Sequence, residues 1–541
     1  MELTNSSETL TNASVDIEGA PSAMDDEVII VGAGPTGLML AVELCLAGVR
    51  PLVLERQPKP RDNPKAGGLS GQILELLHYR GLLERFEAAG TEAVPAPRLP
   101  FGGLHVDFTR LDPPPMRLLM LQQPQLESLL SEIAIERGAE IRRGHGVLGL
   151  SQDDAIVTAD VLGPDGHYQV TGQYIVGCDG SQSRVRDMAD ISFPGTTYPE
   201  VQRLAQFTVP ESVTVLENGD LEVEGVGRFS FGFTRNDRGE YAVGSTNPEF
   251  MGLFTSEHET ADYDDDEPMT VDEMRDSIRR VFGVELPLGE PTRLTRFTFH
   301  ARHVQRYRNG RVLMAGDAAH LFPAPGVALN AGMMDSVNLA WKLAAAVDGW
   351  APVGLLDSYH VERHLAGERT MLHTQAQMAL RRGHDAAAEA LRTLVKELLL
   401  DEQPQRRIGA FIAGTDIRYP SAGRNPHPLA GTFAPNLTLR SDPGTITVAE
   451  LMHAARPVLL DLADRSDLRE VARAWEHRID IRTAVTDHRP ADAVLIRPDA
   501  QIAWAAAVDE GSETAVPALR EALATWFGRS LADHRPVSGD L

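Results

Sequence analysis

Apolar residues at the start of this chain fall into short blocks separated by turn signals. Glu27 to Val31 is an apolar run of strand length. Gly32 to Gly37 is a glycine-rich turn, and Leu38 to Ala47 has helical spacing with Leu38, Val42 and Cys45 on one side. Pro51 to Leu54 reads as a second strand, ending at Glu55. A strand, turn, helix and strand in that order predict the opening of a doubly wound sheet. Gly71 to Ala89 predicts a helix, with Leu74, Leu77, Leu82 and Phe86 on one face, and Leu121 to Arg137 predicts another. Tyr174 to Gly177 is a short buried strand running into Asp179-Gly180.

From residue 191 to 290 the pattern changes. Glu222-Gly225, Arg228-Thr234 and Tyr241-Gly244 are short strand-like pieces between turn signals, and Phe101 to Asp107 is similar. This predicts an antiparallel sheet inserted into the first domain. Arg311 to Ala315 returns as a parallel-type strand, a long helix follows over Asn330 to Val347, and helices continue to Arg407. Residues 417 to 444, rich in Pro, Gly, Asn and Ser, read as a linker. Beyond it, Val458-Leu462, Ala493-Ile496 and Gln501-Ala505 are strand-like and Leu468 to Trp475 is helical. The expected layout is a tail over 1–24, a discontinuous unit over 25–190 and 291–415, an inserted sheet over 191–290, and a C-terminal α/β unit over 426–541.

Composition narrows the class. The chain has 541 residues, 43% hydrophobic and 24% charged, which is ordinary for a globular protein of several domains. Met1 to Met24 is polar, lacks a basic segment followed by an apolar one, and is expected to be a disordered tail rather than a secretory signal. No apolar stretch is long enough for a transmembrane helix. The formal charge of −26 argues against nucleic acid and anionic membrane as partners. The acidic run Asp262, Asp264, Asp265, Asp266 and Glu267 reads as a solvated loop in preference to a metal site. Two cysteines, Cys45 and Cys178, exclude a disulfide framework and a thiolate zinc site and make the cytoplasm the expected location.

The first chemical constellation is Gly32-Ala33-Gly34-Pro35-Thr36-Gly37. Gly32 permits the tight turn, Gly34 lets backbone approach a pyrophosphate, and Gly37 lets the helix pack close to the strand, with its N-terminus toward phosphate charge. Glu55 stands where a carboxylate accepts from ribose hydroxyls. These residues indicate a dinucleotide without choosing between NAD and FAD. The segment Arg311 to His320, containing Gly316-Asp317, resembles the second flavin motif of the class A flavoprotein aromatic hydroxylases, in which the Asp holds the ribityl chain. Cys178 to Arg186, containing Asp179-Gly180, resembles that family's Asp-Gly motif.

Phe101-Gly102-Gly103-Leu104, Trp341-Lys342-Leu343, Leu356 to His360 and Val458 to Leu462 resemble the branch that acts on aromatic polyketides, angucycline hydroxylases included. The resemblance implies an α/β fold: a glutathione-reductase-like FAD domain, an inserted sheet for substrate, and a C-terminal thioredoxin-like domain without redox cysteines. It implies FAD as resident cofactor and NAD(P)H, with NADPH favoured, as donor. It further implies ring hydroxylation of a polycyclic aromatic polyketide in antibiotic biosynthesis, with O2 as co-substrate through a flavin C4a-hydroperoxide. Residues expected at the cofactor are Gly32, Gly34, Pro35, Thr36, Gly37, Glu55, Arg56, Lys65, Gln123, Asp179, Gly180, Gly316, Asp317, Gly326, Leu329 and Asn330.

Two departures from the family pattern stand out. The loop Pro323 to Asn330 is one residue shorter than the family's, with Val327-Ala328 in place of Gln-Gly; a positive φ at Val327 would be costly. Lys65 and Gln72 stand where arginines are expected, and Lys lacks the planar fork. No nucleophile–base pattern and no metal spacing occurs, so no catalytic side chain is assigned; Pro323, Gly326 and Asn330 are candidates for the flavin loop. Phe231, Phe233, Phe299 and Tyr241 are candidate substrate walls, with simple core packing as the alternative. Baeyer–Villiger or ring-rearranging oxygenation, and a flavoprotein whose FAD does not activate oxygen, remain as alternatives. The oligomeric state is left open, with packing support or dimer contact expected of the C-terminal domain.

Overall fold

A computed structural model describes residues 27–61, 66–244, 249–259, 263, 268–383, 385–421, 426–441 and 444–530. The expected N-terminal tail, Lys65 and the acidic run at 262 and 264–267 lie outside the described residues.

Val28–Val31 is a central strand of a six-stranded sheet and is buried along its whole length. It pairs in parallel with Tyr174–Gly177 on one side and Pro51–Glu55 on the other. Val312–Met314 extends the parallel run on one side and Glu140–Arg143 on the other. Strands covered on both faces need continuous rather than alternating apolar sequence, which is what these short blocks supply. The first helix, Pro35–Leu46, lies against one face, and the central helix, Ala328–Val347, packs on it. The helix expected over 71–89 is two, Gln72–Tyr79 and Leu83–Ala89. Gly81 breaks it at φ +64° just past the end of the first, the usual left-handed terminus.

The second sheet is also six-stranded, in the order Gly232–Asn236, Gly239–Gly244, Phe250–His258, Gly195–Thr208, Pro291–His303 and His320–Leu321. Its two longest strands, Gly195–Thr208 and Pro291–His303, are not apparent in the apolar pattern. Their inward positions include Gln202 and Arg203, whose burial is sustained by ion pairs and hydrogen bonds that a hydrophobic pattern cannot register. The sheet thus continues past the expected end at 290. Residues 222–225 fall outside it, in and just beyond the middle strand of a separate three-stranded sheet, Val213–Val215, Leu221–Val223 and Gly227–Phe229.

A helix, Val271–Phe282, covers one face of this second sheet. Thr270 caps it by accepting from the Glu273 N–H, and Gly283 ends it at φ +77°. Beneath it, fully buried Arg203 donates to Glu273 (2.8 Å), Glu257 (3.1 Å), Glu259 (2.9 Å) and the Tyr263 hydroxyl (2.9 Å). The long helix, Leu355–Arg382, meets the opposite face through Arg381, which lies over the rings of Phe233, Phe254 and Phe299.

The C-terminal unit has a four-stranded sheet in the order Asp480–Thr483, Val458–Asp461, Ala493–Ile496, Ile502–Ala506. The first pair is parallel and the others antiparallel, with helices Ser466–Ala472 and Ser512–Phe527, a thioredoxin-like topology without cysteine. The segment expected as a linker is not a free tether. Tyr419, Ala430 and Ala434 are buried, and the Ala434 carbonyl accepts from the Tyr79 hydroxyl at 2.7 Å. Among the described residues no helix is long and apolar enough to cross a membrane.

Removing Arg203 strands buried carboxylates. Arg203→Met is expected to lower unfolding free energy by about 3 kcal/mol, read from urea unfolding at neutral pH; a change within about 0.5 kcal/mol would show that Arg280 and Arg296 satisfy those carboxylates without it.

Candidate cofactor site

The glycine loop is shaped by contact at its ends and by open space at its middle. Gly32 has φ +108°, and a Cβ there would lie 2.4 Å from the Cys178 carbonyl oxygen. A Cβ on Gly37 would lie 2.0 Å from the Gly32 carbonyl oxygen, so the helix can approach the strand only without one. Gly34 differs: nothing stands within 4 Å of its Cβ position. Pro35 opens the first helix with no side-chain cap and no acidic residue in its first turn. Uncapped amides beside an open glycine suit a pyrophosphate. Glu55 accepts from the Ala33 N–H and the Gln57 N–H, both at 2.8 Å. It therefore orders the loop, and its carboxylate keeps lone pairs for ribose hydroxyls.

Asp179 spends its carboxylate on its own turn. It accepts from Ser183 Oγ (2.5 Å) and from the Arg184 and Val185 amides (2.8 and 3.2 Å). Burial raises its pKa in spite of these bonds. Arg186 then joins two motifs that are far apart in sequence, donating to the carbonyls of Ser181 (3.1 Å) and Ala318 (3.2 Å) while stacked on Phe193.

The Gly316-Asp317 motif forms a 3-10 turn with Asp317 exposed on it. Gly316 has φ +65°, and its Cβ position lies 2.5 Å from Thr36 Oγ1; that of Gly332 lies 2.6 Å from the same atom. Glycine loop, Gly-Asp turn and central helix thus meet at one point. Asp335 binds them electrostatically: fully buried, it accepts from the Gly316 N–H (2.9 Å), from His320 Nε2 (2.7 Å) and from Arg363 Nε (2.6 Å). Burial opposes its charge, but Arg363 and His320 hold its carboxyl below the usual range.

The shortened loop resolves its own difficulty. The left-handed residue is Gly326, at φ +83° with open space around it, whereas Val327 has φ −107° and is buried without strain. The central helix begins at Ala328, two residues before the expected Asn330, so Asn330 lies in the first turn. Its amide donates to the Gly326 carbonyl (2.8 Å) and Ser70 Oγ (3.1 Å) and accepts from the Ser70 N–H (3.2 Å). Pro323 is buried behind the loop, and Leu329 packs on the main core. Gln123 accepts from the Ala66 N–H (3.2 Å) and donates to Glu127 (2.7 Å), fixing the chain at Ala66; Arg56 is exposed.

The substrate candidates separate by sheet face. Phe233 and Phe299 share the face turned to the long helix, together with Phe254 and Phe297. Tyr241 points the other way, stacked on Phe282 at 4.1 Å in the apolar cluster under Val271–Phe282, so it is core rather than wall. Phe231 sits on an exposed turn whose N–H donates to Asp220 (2.7 Å). Ser70, Phe254, Asp335 and Arg363 were not singled out from sequence, and Arg186 only as the last residue of the Asp-Gly motif. Asp335, Asn338 and Lys342 did carry a signal, a polar stripe at helical spacing within an otherwise apolar helix.

Gly316→Ala is expected to weaken FAD binding by more than about tenfold, since the left-handed φ and the Thr36 contact both resist a methyl group; flavin fluorescence titration of apoprotein reads this. Burial, with His320 and His364 nearby, pushes the His303 imidazole down from 6.5 to about 3. The unfolded chain therefore takes up a proton that the folded chain refuses, and stability falls as pH drops from about 6.5 toward 3. His303→Asn should flatten that slope in chemical unfolding measured across the range.

Comparison with known proteins agrees with this geometry. A family model described as FAD binding domain matches residues 25–374, and one described as aromatic-ring hydroxylase, C-terminal, matches 427–530. The chain is 40% identical over 516 residues to a 12-dehydrotetracycline 5-monooxygenase/anhydrotetracycline 6-monooxygenase of Streptomyces rimosus, covering 93% of this chain and 99% of that one. It is 37% identical to a dialkyldecalin synthase of Streptomyces rugosporus, covering 93% and 99%. Among solved structures, an aromatic hydroxylase from angucycline biosynthesis aligns with a TM-score of 0.82 at 37% identity, covering 94% of this chain and 100% of that one. The open glycine cradle, the uncapped first helix and the Glu55 carboxylate fit the dinucleotide that these matches imply, and the chain belongs to the FAD-dependent aromatic-ring hydroxylases, a family of flavin monooxygenases.

Proposed function

We propose that this chain hydroxylates a polycyclic aromatic polyketide in the making of an antibiotic, with NADPH as electron donor and O2 as co-substrate. The observation that carries this reading is the phenyl wall. Phe233, Phe254, Phe297 and Phe299 line the sheet face turned to the long helix, whose Arg363 also reaches the Ala331 carbonyl in the first turns of the central helix. Planar fused rings stack on such a wall and expel water from it. The names of the tetracycline and angucycline relatives favour the same class of substrate. We take residues 25–190 with 304–415 as the FAD-binding unit, 191–303 as the substrate unit, because Pro291–His303 is a strand of the second sheet, and 426–541 as the thioredoxin-like unit. With two cysteines and no disulfide, the cytoplasm suits the protein.

Bound FAD would supply the redox chemistry, taking hydride from the nicotinamide and activating oxygen. The protein's part is to bind, orient and shield. Gly34 and the first helix would hold the pyrophosphate, and Glu55 and Asp317 the hydroxyls. The N-terminal turn of the central helix, without a side-chain cap or an acid, would direct its amide dipoles at negative charge on the reduced ring. Asn330, fixed by Ser70 and Gly326, keeps that turn in place.

The dialkyldecalin synthase relative supports a second reading, cyclisation on a flavoprotein that does not insert oxygen. The purified yellow protein should consume NADPH faster when a tetracyclic or angucyclic polyketide is added, and isotopically labelled O2 should place one oxygen atom on a ring carbon. Label in a lactone would indicate Baeyer–Villiger insertion instead. A product formed without oxygen or NADPH would replace hydroxylation with cyclisation.

A further inference from the structure

The C-terminal unit meets the cofactor helices through a buried ionic network. Arg497, 2% exposed, grips Glu362 of the long helix with both terminal nitrogens, one at 2.9 Å from Oε2. It also binds Asp499, through Nε at 3.0 Å and through Nη2. Glu362 in turn accepts from Lys342 Nζ and from Asn338 Nδ2 of the central helix, both at 2.7 Å. Asn338 Nδ2 reaches Asp499 at 3.0 Å, closing the circuit. Two cations and two carboxylates share a site closed to water, flanked by the rings of Trp341, Trp526 and Tyr419 around the guanidinium. Burial lowers the Lys342 ammonium to about 8 even beside Glu362.

The neighbouring residue on the long helix faces the cofactor side. Arg363 donates to Asp335, to the Ala331 carbonyl (3.1 Å) and, through Nη1, to the Tyr419 hydroxyl (2.8 Å). Asp335 holds the Gly316 N–H of the Gly-Asp turn. Glu362 and Arg363 are consecutive, so whatever sets the rotation and height of the helix at one sets it at the other. Tyr419 touches both clusters, as the hydrogen-bond partner of Arg363 and as a ring beside Arg497.

We propose that Arg497 of the thioredoxin-like unit is a positioning residue for the flavin: by holding Glu362 it fixes Arg363 and Asp335, and through them the Gly-Asp turn and the first turns of the central helix. This gives the cysteine-free unit a task other than dithiol exchange, and it rests on the FAD site argued above. Breaking a buried pair leaves a charge unpaired, and the helices shift to relieve it. The displacement would fall on the Gly-Asp turn and the first turns of the central helix, which would hold the flavin.

The test compares full-length variants for FAD dissociation constant, flavin absorption spectrum and flavin midpoint potential, with far-UV circular dichroism confirming the fold. Arg497→Met should raise the FAD dissociation constant by about tenfold or more and shift the visible bands and the potential. Asp461→Asn is the control. Asp461 is buried in the same unit, bonded to the Ala463 and Arg465 amides and paired with Arg469, without a bond to the cofactor helices. It should lower thermal stability and leave the flavin constants within about twofold. Flavin constants within twofold of the parent in folded Arg497→Met would overturn the proposal, as would an equal effect of Asp461→Asn, which would mark general loosening. Should Arg497→Met fail to fold, Arg497→Lys, which keeps the charge and loses the fork, is judged by the same criteria. A parent protein that takes up no FAD would instead remove the cofactor site itself.

Discussion

The Asp335 carboxylate, excluded from water, is the constraint on which the cofactor site depends. An isolated charge in such a place would be costly, and three donors from three elements make it tolerable. Gly316 comes from the turn after a strand of the first sheet, His320 from the edge of the second sheet, and Arg363 from the long helix. The carboxylate therefore specifies how the two sheets and the two long helices come together. Glycines at 32, 37, 316 and 332 are the steric counterpart, since each removes a Cβ that would collide with backbone or with Thr36. Electrostatics draws the elements together and missing side chains let them close.

The same arrangement separates rigid from open parts of the site. Gly34, Gly180 and Gly326 have open space at their Cβ positions, whereas Gly32 and Gly37, on either side of Gly34, are in tight contact. Val327, where the family carries a glutamine, is accommodated because the left-handed residue of the turn is Gly326 and Val327 itself has φ −107°. The loop's departure from the family pattern is thus a change of path, achieved without backbone strain at Val327.

Much of this was legible in the residues. The first parallel strands, the glycine loop and Glu55 follow from apolar block length and from the steric needs of a dinucleotide turn, both local properties, whereas the Gly-Asp motif was legible only through its resemblance to the flavoprotein hydroxylases. Three of the four C-terminal strands were equally legible; the edge strand Asp480–Thr483, mostly polar and half exposed, was not. The two longest strands of the substrate sheet were hidden because their buried faces carry Gln202, bonded to Arg381, and Arg203, made tolerable by Glu257, Glu259 and Glu273 from elsewhere in the chain. The helix expected over 71–89 hid its break because Gly81 is a single residue inside a continuous apolar period.

Sequence by itself determined that this protein holds a dinucleotide, that the dinucleotide is FAD once the second and third motifs are counted, and that two sheets of different character share the work. Only the tertiary structure decided which face each phenyl ring occupies. It turned Tyr241 into core and brought Phe254 into the wall, because a strand's alternation says which residues share a face but not what covers it. It also revealed that Asp179 serves its own turn and that Asp335, Arg363 and Arg497 form the links between units. The network around them joins residues 161 positions apart, Asn338 and Asp499, and a buried charge gains its meaning from partners that only folding supplies.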